Sequence, residues 1–587
     1  MISEAQCRQI QHLIYDSGAA DKFREHMRGD ARGIRPKFDR ALLLTGWLIA
    51  AWHRKKTHLT EIHVALTQDI PLNWQYQWGV RQDVPDPTGG EPTHRVISID
   101  ALQNMSRRFD QRYNYSEIRI PDSDITGDKE TTRRENYAAL YDLVDTLIDT
   151  TLIDRPDGAD GYALDASGIW ASERYRKKLP TTSVAECDEE LLGDDSSADQ
   201  QPPDSSASTE PDSEAEESNQ SSTEINKRRP RIKGRSDART HAKTHKNGGK
   251  EWFYGYELHA IVRVPVEGSA SQPRQEPALI ERFRLTPAGT DVVDPSLEII
   301  DSVTSSGQRI KNLMTDRHYS YKRFDRWLTE LLKRGIEQVV TLREGDQGFR
   351  EWDGALIAAA WPHCCATPTH LGVIKEPGLD ASAEQRAEFN RLIEERRSYA
   401  SELRKPLQAD GKSRWRCPAR SGTVGCKLVP GSIQVAQEGN LPIIASPPDS
   451  EDAPKMCTQD SFGLHITNNQ QAILMKVYQK HYWGSPTQRK LNARRTYVEG
   501  FFGVLKGDTS AAMKRGNHLY TGLAHSTLNA AIFGMVSNII LLRSWHLETT
   551  LGDPKHPLLE PEDTDILGHM PLTREQFDML QQKTQAA

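Results

Sequence analysis

A change in composition in the first half of the chain limits which residues can share a folded core. Between Leu179 and Asn226 there is no Lys or Arg, there are fourteen Asp or Glu residues, and Ser, Pro and Gln are frequent. Such a segment cannot bury enough apolar surface to offset the entropy lost on ordering. We therefore predict that residues 179–226 are disordered and that folded units lie on either side.

Outside the acidic segment, the chain carries a net positive charge. The formal net charge of the 587 residues is -7, and removing the fourteen negative charges of residues 179–226 leaves +7. Residues 227–250, which follow directly, contain ten Lys or Arg and one acid, Asp237. A basic run is often only a solvated linker, but an overall excess of positive charge favours a phosphate-bearing partner such as double-stranded DNA.

Length and hydropathy indicate several folded units and no membrane span. A chain of 587 residues suggests about three to four units of ~150 residues. The first residues, Met1 to Glu4, carry neither the basic nor the apolar part of a signal peptide. The apolar runs 41–52 and 528–542 are too short or too interrupted to cross a bilayer. We expect a cytoplasmic, nucleoid-associated protein.

The seven cysteines are an odd number and do not suggest a disulfide framework. Several of them fall in one stretch of the chain, and Trp415 to Pro418 resembles the start of a zinc ribbon. Because no Cys-x2-Cys pair occurs, we favour reduced structural cysteines over a structural Zn²⁺ near Cys417 and Cys426. The other members of the stretch are His363, Cys364, Cys365 and Cys457.

The first 150 residues have a helical pattern. Apolar spacing predicts helices over 41–52, 59–66 and 99–110, with arginines near the end of the third. Three short helices with basic ends suit a helix-turn-helix module that reads DNA. A helical bundle used for packing or multimerisation is an equal alternative.

From residue 160 the pattern changes to alternating strands and helices. This order predicts an α/β domain in which each of two strands leads into an aspartate, Asp165 or Asp316. The predicted strands are 161–164, 252–264, 279–285, 310–315 and 336–342, and the predicted helices are 294–302 and 321–334.

A third acid, Glu499, has a different setting. Arg495, Glu499 and Lys506 stand at i, i+4 and i+11, so a helix projects all three from one side. Taken alone, an Asp after a strand is most often a turn former, and a Glu in a helix is most often a solvated residue. Three such acids in order, with cations around the last, favour an oxygen-ligand pocket for two divalent metal ions.

These motifs resemble those of a known family. The register Arg-x3-Glu-x6-Lys is similar to the glutamate signature of bacterial insertion-sequence DDE transposases, and Asp316 to Tyr319 resembles their Asp-x-Gly-Tyr. Lys250 to His259 looks like the second strand of their catalytic domain, and residues 236–238 with 243–248 look like its approach. The matches cover residues 160–345 and 490–545.

The resemblance implies an α/β fold in which an RNase H-like mixed-sheet catalytic core carries an inserted subdomain and follows an all-α N-terminal domain. Its two aspartates are expected on adjacent central strands. The implied divisions are a helical domain at 1–150, the first part of the core at 155–345, an inserted subdomain at 346–490, the glutamate helix and a final core helix at 491–547, and a polar tail at 548–587.

The resemblance also implies an activity. A transposase of this family binds the ends of a mobile DNA element as a homodimer, cleaves phosphodiester bonds and joins the 3′ ends to target DNA. Asp165, Asp316 and Glu499 are the implied catalytic residues and the ligands of two Mg²⁺ or Mn²⁺ ions per active site. The expected DNA contacts are Arg495, Lys506, Lys243, Lys246, Arg317 and Tyr319.

Two alternatives belong to other classes. One is a transposase-derived DNA-binding protein without catalysis, which the intact acidic triad argues against. The other is a glycosidase with two carboxylates across a sugar bond, which the basic segment 227–250 argues against.

Overall fold

A computed structural model describes most of the chain. The described residues are 1–28, 36–85, 92–116, 129–172, 237–244, 250–266, 274–342, 346–378, 380–514 and 516–560. The acidic segment 179–226, most of the basic segment 227–250 and the end of the C-terminal tail lie outside these residues, so the predictions made for them remain predictions.

The described residues of the N-terminal region form seven α-helices. The predicted helices are confirmed near their expected positions, as α3, α4 and α6. The helices are α1 (Glu4–Ile10), α2 (Ala19–His26), α3 (Leu42–Ile49), α4 (Leu59–Val64), α5 (Leu72–Gln77), α6 (Ile99–Tyr113) and α7 (Lys129–Asp149). Single π-helical turns at Gln11–Asp16, Ala50–Arg54 and Ala65–Asp69 extend α1, α3 and α4.

The prediction of an all-α N-terminal region is wrong in one place. Strand β1 (Arg81–Val84) pairs antiparallel with β2 (Thr93–Val96). Gly79 has a φ of 78°, a left-handed conformation that ends the α5 segment. The polar residues that follow have no apolar face to continue a helix, and they pair as a two-stranded ribbon instead.

A six-stranded mixed sheet forms the centre of the molecule. It contains β3 (Gly161–Trp170), β4 (Arg239–Thr244), β5 (Lys250–Arg263), β6 (Ile280–Pro287), β7 (Asn312–Thr315) and β8 (Glu337–Val340). The strand order is β4-β5-β3-β7-β8, and β6 pairs with the part of β5 that β4 leaves open. Strand β3 runs antiparallel to β5 and parallel to β7, and β7 runs parallel to β8. The predicted mixed α/β class is confirmed.

Gly255 permits the close approach of β5 to the end of β3. A Cβ atom at this position would lie 2.0 Å from the carbonyl oxygen of Ile169, far inside van der Waals contact. Any other residue would push the strands apart near the end of their pairing, which runs from Tyr162 opposite Arg263 to Trp170 opposite Gly255.

Helices cover both faces of the central sheet. On one face, α8 (Val293–Ser305) and α9 (Leu328–Lys333) bury an apolar cluster that includes Leu164 and Trp327. On the other face lie α14 (Pro486–Ala493), α15 (Thr496–Lys506) and α16 (Leu523–Thr549). The helices α15 and α16 share one apolar cluster with the N-terminal helices, so the N-terminal region packs on the same core as the sheet.

The helix α16 contains the apolar run 528–542 and extends beyond it at both ends. Its 27 residues are long and apolar enough to cross a membrane by length and composition, and 89% of its most apolar window is buried inside the protein. Its apolar surface is buried against α7, β6 and other N-terminal helices.

Buried polar side chains fix α16 in place. Asp237, the one acid of the basic segment, accepts a hydrogen bond from the N–H of Leu523 at 2.9 Å, at the first residue of the helix. Asn529 accepts bonds from Trp47 Nε1 at 3.0 Å and from Thr57 Oγ1 at 2.9 Å. These contacts tie the helix to the segment before β4 and to the N-terminal region.

Residues 346–485 form an inserted region, and its apolar core also includes Phe324, Leu328, Val340 and Leu342 from the preceding part of the chain. Two three-stranded antiparallel sheets lie within it, with the orders β11-β10-β9 and β12-β13-β14. The strands are β9 (Arg350–Trp352), β10 (Ala355–Ala358), β11 (Trp361–His363), β12 (Glu402–Lys405), β13 (Lys412–Arg416) and β14 (Phe462–His465). The helices are α10 (Ala383–Ser398), α11 (Pro430–Glu438), α12 (Lys455–Thr458) and α13 (Asn469–Met475).

We predict that Asn538→Ala destabilises the protein by about 2–4 kcal/mol. The fully buried side chain of Asn538 accepts from Ile280 N at 2.9 Å, donates to Ile280 O at 2.9 Å and donates to Thr151 Oγ1 at 2.8 Å. Alanine leaves these buried groups without partners. Urea unfolding measures the change, with Asn104→Ala at an exposed site of α6 as the matched control. Equal stability of the two variants would contradict the prediction.

Candidate active site

The register between β3 and β7 brings two acids side by side. Leu164 of β3 pairs with Thr315 of β7, so Asp165 and Asp316 are the next residues on adjacent parallel strands. Because β7 ends at Thr315, both carboxylates lie at its carboxyl end. This edge of an open α/β sheet is where ligands commonly bind.

Asp165 lies in the middle of its strand, and the expectation that it ends the strand is wrong. Strand β3 continues to Trp170 because its second half remains paired with β5 after its pairing with β7 has stopped. The Oδ1 atom of Asp165 accepts a hydrogen bond from the N–H of Ala166 at 2.8 Å. Its side chain is 20% exposed, so it lies at the edge of the core.

Asp316 follows β7 directly, as predicted. Its Oδ1 atom accepts a hydrogen bond from the N–H of His318 and so caps the 3₁₀ turn Arg317–Tyr321. The same aspartate therefore has the turn-forming role expected of an isolated Asp after a strand and a position beside Asp165.

Glu499 lies in the first turn of α15 rather than in the middle of a helix, because the helix begins at Thr496 with Arg495 as its N-cap residue. The guanidinium of Arg495 bridges two of the acids. Its Nη2 atom lies 2.7 Å from Glu499 Oε1, and its Nη1 atom lies 3.5 Å from Asp165 Oδ2. Arg495 thus connects the helix acid with the strand acid.

Lys506 anchors the other end of the same helix. Its Nζ atom donates to Ser167 Oγ and to the carbonyl oxygen of Gly168, both at 2.7 Å. Arg495 and Lys506 therefore both point toward β3, which confirms that the register places them on one side of the helix. Between them, α15 packs on the core through Val498, Phe501, Phe502 and Leu505.

Burial and nearby negative charge raise the pKa of Asp165 to about 6. Burial is the larger cause, followed by the carboxylate of Asp316, and Glu499 adds to the effect. The N–H of Ala166 and the guanidinium of Arg495 act in the opposite direction. The site therefore holds more negative charge than its own cation balances.

This excess of carboxylate charge suits a divalent metal ion. Mg²⁺ and Mn²⁺ prefer oxygen ligands, and a cation beside Asp165, Asp316 and Glu499 would remove the repulsion that raises the pKa of Asp165. Within the described part of the chain, no three His, Cys, Asp or Glu side chains stand at metal-binding distances. In this arrangement, Arg495 lies between Asp165 and Glu499.

The residues expected to contact DNA differ in their exposure. Tyr319 is buried, its hydroxyl lies 2.9 Å from Ser296 Oγ, and its ring packs on Trp327. It is a core residue, and the expectation that it contacts DNA is wrong. Arg317 is exposed beside Asp316. Lys243 lies on β4 with its side chain outside the described residues, and Lys246 lies outside them altogether.

Two titratable residues on β5 were missed by the sequence interpretation. Glu257 pairs with Gly168 and His259 pairs with Ala166, so both lie beside the second half of β3 on the neighbouring strand. Burial raises the pKa of Glu257 to about 7 and lowers the pKa of His259 to about 4. Their spacing of two residues among the apolar residues 258 and 260–262 was the available signal.

A scan against protein-family models, a search of curated proteins and a search of solved structures found no match to this chain.

We predict that Asp165→Asn stabilises the protein at pH 7.5 by up to about 3 kcal/mol. A carboxyl whose pKa is raised to about 6 by folding makes the folded state bind more protons than the unfolded state in mildly acidic solution. Stability is therefore lost as the pH rises from about 4 through about 6. Asparagine carries no charge and avoids this loss.

Urea unfolding at pH 7.5 and at about pH 4 measures the effect, which should vanish at the lower pH. Asp325→Asn is the control, because Arg323 lowers the pKa of this exposed carboxyl and its amide should bring no stabilisation. If the Asp165→Asn protein is no more stable than the unsubstituted chain at pH 7.5, the burial and charge repulsion assigned to Asp165 are contradicted.

Proposed function

We propose that this protein is a DDE transposase that binds the ends of a mobile DNA element, cleaves phosphodiester bonds there and joins the 3′ ends to target DNA. The observation that carries the proposal is the pairing of Leu164 with Thr315, which leaves Asp165 and Asp316 adjacent. Glu499 joins them through its ion pair with Arg495.

The strand order supports an RNase H-like catalytic core. Strand β3 is central, the antiparallel strands β5 and β6 lie on one side of it, and the parallel strands β7 and β8 lie on the other. This is the arrangement expected from the family resemblance, with the aspartates on the two central parallel strands. The helix that carries Glu499 packs across β3, where its acid can face both aspartates.

The three acids are suited to hold two Mg²⁺ or Mn²⁺ ions. Such ions lower the pKa of a bound hydroxyl and stabilise the charge on the leaving oxygen in phosphodiester chemistry. Asp165 is the natural shared ligand because it interacts with both other carboxylates. Asp316 and Glu499 would each complete one side of the pocket.

The cations around the pocket have two roles in this proposal. Arg495 neutralises Asp165 and Glu499 when no metal is bound, and it is free to hold a backbone phosphate once metal ions take over that balance. Lys506 keeps α15 on β3 through Ser167 and Gly168 and adds positive charge beside the DNA path. Arg317 presents a third cation at the same edge.

The partner in this proposal is double-stranded DNA, bound by a homodimer in the cytoplasm. The charge of +7 that remains outside residues 179–226 favours a polyanion. The alternative, a transposase-derived DNA-binding protein without catalysis, predicts the same binding without cleavage. The two functions therefore differ in one measurable reaction.

We predict that Asp165→Ala, Asp316→Ala and Glu499→Ala each abolish Mg²⁺-dependent cleavage and strand joining while DNA binding remains. Each change removes a carboxylate that the reaction needs for its metal ions. The measurement uses labelled DNA from the inverted repeats that flank the coding region, with products resolved by strand and with binding followed by gel shift.

Glu388→Ala is the matched control, since this exposed glutamate lies on α10 of the inserted region and should leave cleavage unchanged. Full cleavage by any one of the three variants would remove that residue from the site. Binding of the repeats without cleavage by the unsubstituted protein in Mg²⁺ and in Mn²⁺ would favour the non-catalytic alternative.

A further inference from the structure

Five cysteines of the inserted region come from four separate segments of the chain. Cys364 and Cys365 follow β11, Cys417 follows β13, Cys426 precedes α11, and Cys457 lies in α12. All five are free thiols, and four of them are buried. Cys364, Cys417 and Cys426 belong to one apolar cluster, and Cys365 packs against it. The fold has collected thiols that the sequence keeps far apart.

The distance between two of the sulfurs fits a shared metal ion. The Sγ atoms of Cys365 and Cys457 lie 3.9 Å apart. A disulfide would bring them to about 2.05 Å. Tetrahedral Zn²⁺ with Zn–S bonds of about 2.3 Å separates its sulfurs by about 3.8 Å. The observed separation is therefore close to that of two thiolates on one zinc ion.

The turn that carries Cys417 lies beside Cys457. The guanidinium of Arg420, three residues after Cys417, donates from Nη2 to the carbonyl oxygen of Cys457 at 3.3 Å. Cys417 and Cys426 belong to one apolar cluster, against which Cys365 packs. The four thiols thus share one part of the inserted region.

The turn after Cys417 is fixed by its backbone. The N–H of Ser421 donates to the carbonyl oxygen of Cys417 at 3.0 Å, and the N–H of Thr423 donates to the carbonyl oxygen of Pro418 at 3.0 Å. Hydrogen bonds around a ligand residue hold it in place for a metal ion.

A positive charge lies beside the thiols. The bond from Arg420 Nη2 to the carbonyl oxygen of Cys457 holds the guanidinium there. Its charge would offset part of the negative charge of a thiolate site.

We propose that Cys365, Cys417, Cys426 and Cys457 bind one structural Zn²⁺ ion that fastens the inserted region. Within the residues that the structure describes, no three such side chains already meet at metal distance, so zinc would draw Cys417 and Cys426 toward the Cys365 and Cys457 pair. Each thiol that binds gives its proton to solvent. The site lies outside the acidic pocket and does not depend on the proposed function.

The sequence alone predicts reduced structural cysteines rather than a zinc site. That preference rested on the missing Cys-x2-Cys pair, which supplies two ligands from one turn in many zinc sites. Here the turn at Cys417 supplies one ligand, and the remaining three come from segments joined only by the fold.

The full chain, purified under reducing conditions, should contain about one zinc per molecule by elemental mass spectrometry. Replacing zinc with Co²⁺ should give the intense thiolate-to-metal charge-transfer absorption of a sulfur-rich tetrahedral site. A protein that contains no zinc, and takes up neither Zn²⁺ nor Co²⁺ after dialysis, would overturn the proposal.

Cys417→Ser and Cys457→Ser should lose the zinc and lower the temperature of unfolding, whereas Cys7→Ser should keep it. Cys7 is the matched control because it is a buried free cysteine in α1, remote in sequence from the thiol group. Cys364→Ser should also keep the metal, since Cys365 is the proposed ligand. Stoichiometric zinc in Cys417→Ser or Cys457→Ser would overturn the assignment.

A protein that folds with a Cys365–Cys457 disulfide, and binds no metal after reduction, would also overturn it. Intact mass under non-reducing conditions detects that bond. Because the readouts are metal content and absorption, failure of this proposal is distinguishable from failure of DNA cleavage.

Discussion

The parallel pairing of β3 with β7 is the contact on which the candidate active site depends. It aligns Leu164 with Thr315 and thereby sets Asp165 next to Asp316. A slip of one residue would move the Asp165 side chain to the opposite face of the sheet, away from α15. The apolar clusters on both faces resist such a slip, because Leu164 is buried on one face and Ala163 on the other. Sheet packing therefore fixes the relative position of charged groups that repel one another.

The repulsion between these carboxylates lowers the stability of the fold at a site that is suited to bind a cation. Burial and neighbouring acids raise the pKa of Asp165 to about 6, and Arg495 offsets only part of this effect. A residue selected for stability alone would not be a carboxylate in this position. Strain of this kind is common where a protein prepares a site for a ligand that brings the missing charge. The ion pairs of Arg495 hold α15 in place until that charge arrives.

Local patterns predicted the elements of the site better than their ends. The apolar run before Asp316 predicted β7, and the register predicted that Arg495, Glu499 and Lys506 share one side of a helix, which in the structure faces β3. The extension of β3 beyond Asp165 could not be predicted, because it depends on pairing with β5, which is remote in the sequence. The family resemblance made Tyr319 an expected DNA contact, yet tertiary contacts with Ser296 and Trp327 bury it. Such contacts leave no periodic signal in the sequence.

The inserted region is tolerated because it leaves and re-enters the sheet at one place. The chain departs after β8, and on its return Gln479 bonds both backbone groups of Val340, accepting from its N–H at 3.3 Å and donating to its carbonyl oxygen at 3.1 Å. Gln338 donates to the carbonyl oxygen of Tyr478 at 2.8 Å. The free-energy cost of closing a loop grows only slowly with its length. Residues 346–475 can therefore build their own sheets and helices while α14 still packs on β7 and β8 and α15 packs on β3, within reach of Asp165.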